Sequence, residues 1–374
     1  MSANIKIGND TLQGVNAVEL ENADALGSYV KFGLGVAGGY TVTFVAEGNP
    51  YTIISVTAGS AIEEPIPPEV TGLVTGWSTD EAGTNLVSFP YTPTADITLY
   101  AKVSAPKTLE ESTWAEIAQV SANKSWNAMG WQVGDSKTIT LNGTVGTLAL
   151  DNYQCKVYIL GFDHNAEKEG QGISFGMLEG IDGKQLCLVD QYYGTITPEV
   201  MAFSMNTISE NGGGWKAAKM RKTILGSTDV ENGNATPNTI TNPAANTLMA
   251  ALPADLRAVM KPITKYTNNV GEYSDASAVS PAIDYLPLMA EFEVSGASQY
   301  ANPNEKTYQA QYEYYKSGNS KIKYKQNDVA SAAAWWLRSP YSTNPGSFCF
   351  VITDETVSNG DANGSIGVAP VFLV

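Results

Sequence analysis

Two short patterns in this chain have the residue types and spacing for chemistry. Gly172-Ile173-Ser174-Phe175-Gly176 fits G-x-S-x-G, the sharp turn that lifts a nucleophilic serine between a strand and a helix. That chemistry needs an acid and a histidine after the serine. The sole histidine, His164, precedes it, and no helix pattern follows. The match reads as chance, and His164 as a structural histidine at a strand end. No Cys-His pairing candidate lies near it, so nucleophilic catalysis has little support. Asp361-Ala362-Asn363-Gly364-Ser365 opens like a calcium loop, but its twelfth position is Phe372 rather than glutamate. The 38 acidic residues include no spacing that singles out a glycosidase pair. Cys155, Cys187 and Cys349 are an odd set, far apart, and form neither a disulfide framework nor a zinc site. They are expected to be buried thiols of a protein made in a reducing cytoplasm. The expectation is a protein that is not an enzyme, with no catalytic residue, metal or cofactor.

A different chemistry, recognition, is written into the last forty residues. Trp335-Trp336-Leu337-Arg338-Ser339-Pro340 opens them and Gly367-Val368-Ala369-Pro370-Val371-Phe372-Leu373-Val374 closes the chain. Both ends read as core. Between them lie small, polar, turn-prone residues with a few aromatic ones. A rigid frame that carries adaptable polar and aromatic contacts is the physics of a recognition loop. The candidate ligand-binding residues are Tyr341, Thr343, Asn344, Ser347, Phe350, Ile352, Asp354, Asn359, Asp361, Asn363 and Ser365. Trp335 and Trp336 could stack on a sugar, but they follow Ala332-Ala333-Ala334 and precede a strand, so they are assigned to the core. Arg221 and Arg338 are two of three arginines in a low-charge chain and are read as parts of the frame, bridging carbonyls or a carboxylate.

The elements that must position these residues belong to a chain of 374 residues, which is long for one core and suggests two or three domains. Charged residues make up only 16% and there are 35 glycines, so a loop-rich, β-containing protein is expected. A net charge of −16 repels phosphate backbones and anionic membranes, so neither nucleic acid nor a membrane is an expected partner. No apolar run reaches the ~20 residues that span a bilayer. Met1-Ser2-Ala3-Asn4-Ile5-Lys6-Ile7 lacks the basic start and apolar run of a signal peptide.

Residues 1–38 read as short strands joined by turns at Gly8, Asn9, Asp10 and Gly14, with a hinge at Gly33–Gly39. In residues 39–104, Thr41-Val42-Thr43-Phe44-Val45 and Ile97-Thr98-Leu99-Tyr100 alternate as strands do. Glu64-Pro65-Ile66-Pro67-Pro68-Glu69 cannot be an interior strand. With Gly76-Trp77-Ser78-Thr79-Asp80 and Leu99-Tyr100-Ala101-Lys102, this unit resembles a single internalin-type B repeat. The resemblance implies a small β-grasp-like spacer. Val103 stands where that family usually has tryptophan.

In residues 105–374, Thr108 and Glu111 have capping-box spacing, which predicts a helix over 109–122. Lys137–Leu141 reads as a strand closed by a tight turn at Asn142-Gly143, and Lys156–Leu160 as a buried strand. Helices are expected over Trp215–Leu225 and from Pro253, the latter with Leu256, Val259, Met260 and Ile263 inward. Tyr308–Tyr315 fits a short helix or a strand.

Several pieces of this unit fall in a telling order: Trp114-x-x-Ile117, Val133-Gly134-Asp135, Ile159–His164, Gly213-Gly214-Trp215-x4-Met220-Arg221, Leu252-Pro253-x2-Leu256, Tyr312-x-Tyr314-Tyr315, Trp336–Ser339 and Gly367–Pro370. Together they resemble a C-type-lectin-like domain found in phages and prophages of gut bacteria, including the variable proteins of diversity-generating retroelements. The resemblance implies an α+β chain with a lectin-like domain at 105–374, small all-β modules before it, and a rewritten segment between the Trp-Leu-Arg-Ser and Gly-Val-x-Pro motifs. The glutamate, proline and asparagine by which sugar-binding lectins hold calcium are not paired here. Residues 1–38 are similar to leading segments of phage structural proteins. They are expected to bind other virion proteins. The function implied is a virion-located, homo-oligomeric receptor-binding adhesin for a host cell-surface protein or glycan. The alternatives are a tail-associated polysaccharide depolymerase and a non-specific capsid or tail decoration protein.

Overall fold

In a computed structural model, residues 38–229 and 233–374 are described in full, and four short strands before them in backbone only. The chain is mixed α+β, built from small sheets with few and short helices. It divides into two compact units, Met1–Pro106 and Lys107–Val374. In the first, β1 (Ala3–Ile7) pairs with β2 (Asp10–Val15), and β3 (Glu19–Leu20) with β4 (Val30–Lys31). The anchoring role expected of residues 1–38 falls outside the described residues.

The rest of the first unit is one four-stranded sheet. Its strands are β5 (Gly39–Ala46), β6 (Asn49–Thr57), β7 (Leu73–Ser78) and β8 (Ile97–Ser104), in the order β6-β5-β8-β7. β5 and β6 form a hairpin whose turn residues, Glu47 and Gly48, both have positive φ, as a type I′ turn requires. β5 and β8 run parallel, and β7 returns antiparallel to β8. Alternation along β5 buries Val42, Phe44 and Ala46 against Val56, Trp77 and Leu99. The rings of Phe44 and Trp77 meet edge to face at 4.7 Å. Asp80 closes the following loop by accepting from Ser78 Oγ and from the amides of Thr84 and Asn85. Those bonds, led by the Thr84 amide, hold its exposed carboxyl below the usual range.

The second unit begins with α1 (Trp114–Asn123), which starts later than the 109–122 expected. Thr-x-x-Glu occurs twice here. Thr108 and Glu111 close a loop, while Thr113 and Glu116 form the capping box that starts the helix. The main sheet contains β9 (Ser136–Val145), β10 (Leu148–Phe162) and β11 (Ile173–Glu179), all antiparallel. The expected Asn142-Gly143 turn is instead inside β9, and the chain reverses at Gly146. Asn142 Oδ1 accepts from the Asn152 amide at 2.7 Å, where the ladder bulges between Leu150 and Tyr153. The side chain thus serves a bulge rather than a turn.

Short elements follow. β12 (Leu186–Cys187) precedes a long irregular stretch, and β13 (Ile263–Asn268) and β14 (Val279–Asp284) form a hairpin. The helix expected over Trp215–Leu225 is broken. An α-turn, Gly214–Ala217, ends at an extended Ala218, and a π-turn spans Met220–Ile224. Here the amides of Lys219 and Met220 bond Asn206 Oδ1 and the Met205 carbonyl, so tertiary partners replace helical ones. The helix expected from Pro253 is one turn, Ala254–Arg257, and Ile263 belongs to β13. Glu313–Lys316 is a helical turn.

β15 (Lys323–Lys325) and β16 (Asp328–Ala333) join β12 in a small sheet. The final segments are β17 (Trp335–Pro340), β18 (Ser347–Val351), β19 (Val357–Asp361) and β20 (Val371–Leu373). β17, β18 and β19 form an antiparallel meander. β20 returns to the edge of β11 and completes the order β20-β11-β10-β9. Trp114 of α1 lies edge-on to Phe175 and Phe372, which stack on each other at 5.1 Å. One core joins Tyr158 and Leu160 of β10 to Trp335, Leu337, Cys349, Val351 and Val371. All three cysteines are buried free thiols.

Trp336 is 1% exposed, and its indole N–H donates to the Phe203 carbonyl at 3.0 Å. Trp336→Ala is expected to cost about 3–5 kcal/mol of stability, read by denaturant unfolding. Near-wild-type stability would mean that the ring does not pack as core. Glu293 is fully buried between Arg338 and Lys265. Glu293→Ala leaves both cations without that carboxylate and is expected to cost about 3–5 kcal/mol in the same assay.

Candidate functional site

The candidate segment begins where β17 leaves the core. Arg338 fixes that point. Its guanidinium grips Glu293 with two bonds, of 2.5 and 2.7 Å, and donates to the Leu288 carbonyl. Glu293 also accepts from Lys265 Nζ at 2.9 Å, and Lys265 pairs in turn with Glu169 and Tyr312 Oη. Burial opposes ionisation of Glu293, but Arg338 and Lys265 outweigh it and hold its carboxyl well below the usual range. For Glu169, burial dominates over Lys265 and pushes the carboxyl up. Ser339, next along β17, donates to Glu305 at 2.9 Å.

Beyond Ser339 the chain turns outward. Tyr341 is half-buried, edge-on to Tyr300 at 5.4 Å. Thr343 and Asn344 are exposed, and Asn344 Oδ1 accepts from the Gly346 amide. The buried Asn211 holds this turn from beneath, with its amide nitrogen within 3.1 Å of the carbonyls of Tyr341, Asn344 and Ser347. The Ala362 amide donates to Gly346, and Asp361 accepts from Ser209, so the end of β19 lies beside the same turn.

The eleven candidate residues do not form one continuous face. Tyr341, Thr343 and Asn344 make the turn, with Asp361 at the neighbouring strand end. Phe350 is half-buried against Trp336, their rings edge to face at 5.7 Å. Phe350, Asp361 and Ser365 line a shallow depression of about 180 Å³ with Trp336, Ile196 and Ile366. Asn363 is half-buried nearby in sequence. Ile352 and the exposed Asp354 sit at the opposite end of β18, where Asp354 closes a turn on Thr356. Asn359 pairs with Cys349, so its side chain leaves the sheet on the opposite side to Phe350.

Ser347 and Ser365 correct the expectation of display, because both are buried. Ser347 sits over Asn211, and Ser365 Oγ donates to the buried Asp190 at 2.7 Å. Small polar residues suit a surface loop and a buried polar anchor equally well, so residue type alone does not separate the two.

Sequence reasoning missed the segment between Asp190 and Asn211. It places Ile196, 66% exposed, at the depression and Ile208, 54% exposed, beside the turn. Its anchors are side chains: Asp190 also accepts from the amides of Tyr192 and Phe203. The available signal was isolated β-branched residues, Ile196, Val200 and Ile208, in a stretch dotted with Thr and Ser.

The chemical motifs read differently in three dimensions. Ser174 lies within β11, paired with Leu373, and no turn presents it. His164 is buried, stacked on Tyr312 at 4.0 Å, with Nδ1 3.1 Å from Glu313. Among the described residues, no group of three His, Cys, Asp or Glu side chains is arranged to hold a metal.

Comparison with known families finds two matches. Residues 40–102 match the Listeria-Bacteroides repeat domain, and residues 244–374 match a domain of unknown function, DUF6273. The second match spans β13 to β20, and so the buried Arg338–Glu293–Lys265 cluster and the whole candidate segment. No curated protein matches the chain. Residues 40–102 are therefore one Listeria-Bacteroides repeat, and its sheet is the four-stranded β6-β5-β8-β7 arrangement.

Proposed function

We propose that the chain is a non-enzymatic phage adhesin, carried on the virion, whose C-terminal unit has a lectin-like fold and binds a host cell-surface protein or glycan. The observation that carries this reading is the contrast along β17–β19. Fully buried Trp335, Trp336 and Arg338 give way within a few residues to exposed Thr343 and Asn344, on a turn pinned by Asn211. Recognition loops need this combination, because a fixed backbone lowers the ordering cost of binding while exposed side chains vary freely.

The lectin-like reading has support of its own. α1 and β20 meet on one sheet, and Ser121 Oγ donates to the Val374 carbonyl. The candidate segment thus belongs to a long excursion between two adjacent strands, β11 and β20, that carries its own small sheet. In this reading the segment is open to diversification, residues 40–102 are a spacer, residues 1–38 engage other virion proteins, and several copies act together.

Tyr341 and Phe350 are the expected anchors, because aromatic residues dominate binding hot spots. Replacing Tyr341, Asn344, Asp361 and Asn363 together by alanine should leave the fold intact, since two are exposed and two half-buried and none belongs to the core, and such substitutions outside the core usually change stability by about 0.5 kcal/mol each. Attachment of the full chain to host cells should fall. Particles should lose more, because multiple copies amplify weak binding by roughly 10²–10⁴. Unchanged attachment of both, with folding verified by circular dichroism, would place the receptor site elsewhere.

A further inference from the structure

A cavity of about 490 Å³ lies behind the loop that carries Ile208, within the size range of small-ligand sites, about 300–1,000 Å³. Its walls include Lys216, Lys219 and Lys222, with Thr207, Ile208 and Glu210 opposite. The walls put three lysines within seven positions of a chain whose net charge is −16. Among the described residues, none of the three has a carboxylate within ion-pair distance. Arg221 also borders the cavity, but its guanidinium is committed to Asp284 and to the carbonyls of Ile283 and Lys216.

Lys219 is the central group. Its Nζ donates to the Ala202 carbonyl at 2.5 Å and to Ser204 Oγ at 3.0 Å, which are neutral acceptors. Burial pushes its pKa down to about 7, opposed by the more distant Asp190. Asp190 is itself occupied by Ser365 and two amides. A half-buried ammonium held by neutral acceptors gains from any anion that can reach it. Lys222 is exposed and Lys216 half-buried, so both can complete the charge around an entering ligand.

We propose that this cavity binds a small polyhydroxylated anion, an acidic sugar, with its carboxylate or phosphate held by Lys219 and flanked by Lys216 and Lys222. The hydroxyls of Thr207 and Thr223 supply partners for sugar hydroxyls, and Val200 and Ile208 supply aliphatic contact. The site is separate from the β17–β19 face and would fill whether or not that face binds a receptor.

The test is calorimetric titration of the full chain with glucuronate, N-acetylneuraminate and a hexose phosphate, with glucose as the neutral control. Saturable binding of at least one acid but not of glucose is expected, weakening as salt rises. Preference for the carboxylates or for the phosphate identifies which acidic group the site takes. The paired variant Lys216→Glu/Lys222→Glu changes rim residues only and should weaken binding by about tenfold or more, the scale of two reversed charges near a surface. Lys219→Met should abolish binding. If that variant fails to fold, the rim variant alone decides. No heat with any acid, equal binding of glucose, or unchanged affinity in the rim variant would overturn the proposal.

Discussion

A single carboxylate, that of Glu293, neutralises two buried cations that arrive from different parts of the chain. Arg338 comes from β17, and Lys265 from β13. Lys265 reaches on to Glu169, which follows β10, and to Tyr312. The four charged groups balance as two cations and two anions. Each would be costly to bury alone, so the elements that carry them must come together or not at all. The cluster ties β13, β17 and the segment after β10 to one another through charge-assisted bonds. It sets the position of β17, and the candidate segment starts where β17 ends.

That anchoring explains how exposed, small residues can hold a defined shape. The turn after β17 has few apolar contacts of its own. Its order comes from Arg338 and Ser339 behind it and from Asn211 beneath it. Asn211 contacts carbonyls, so it supports the backbone of the turn whatever side chain stands at 343, while Asn344 adds its own bond to the Gly346 amide. Ser347 and Ser365 differ, because their own positions are buried. Substitution there would disturb the support rather than the display.

Much of this was legible in the sequence, and the failures share a cause. The alternation of β5 and β8, the apolar run of β10 and the paired tryptophans gave direct signals, because burial alone decides those positions. The low-charge setting of Arg221 and Arg338 marked them as internal. The Trp215–Leu225 helix, the Asn142-Gly143 turn and the start of α1 were misread. In each case a local rule had a competitor: Asn206 capturing the Lys219 amide, Asn152 occupying Asn142, and, for α1, a second local Thr-x-x-Glu pair five residues on. The candidate residues follow one another in sequence but do not form one surface. Strand pairing scatters them over two sides and two ends of β18, and the loop that completes the site lies far away in sequence.

Elsewhere in the second unit, buried polar side chains act as the partners that regular ladders would otherwise supply. Long stretches of the second unit are neither helix nor strand, yet they run through the interior, where every amide and carbonyl needs a partner. Glu291 accepts from the amides of Gln299, Tyr300 and Ala301. Glu305 takes the Asn268 amide, and the Asn268 side chain takes the amides of Val270 and Gly271 while donating to the carbonyls of Gly271 and Tyr273. Asn302 reaches the carbonyls of Tyr273 and Asp275. Part of the chain's acidity is therefore internal and structural. Burial pushes the Glu305 carboxyl up, the Asn268 amide and Arg338 pull it back, and the group stays useful as an acceptor either way. A fold held by such groups can keep irregular loops rigid, so the turn after β17 and the lysine-lined cavity do not depend on long helices or strands for their shape.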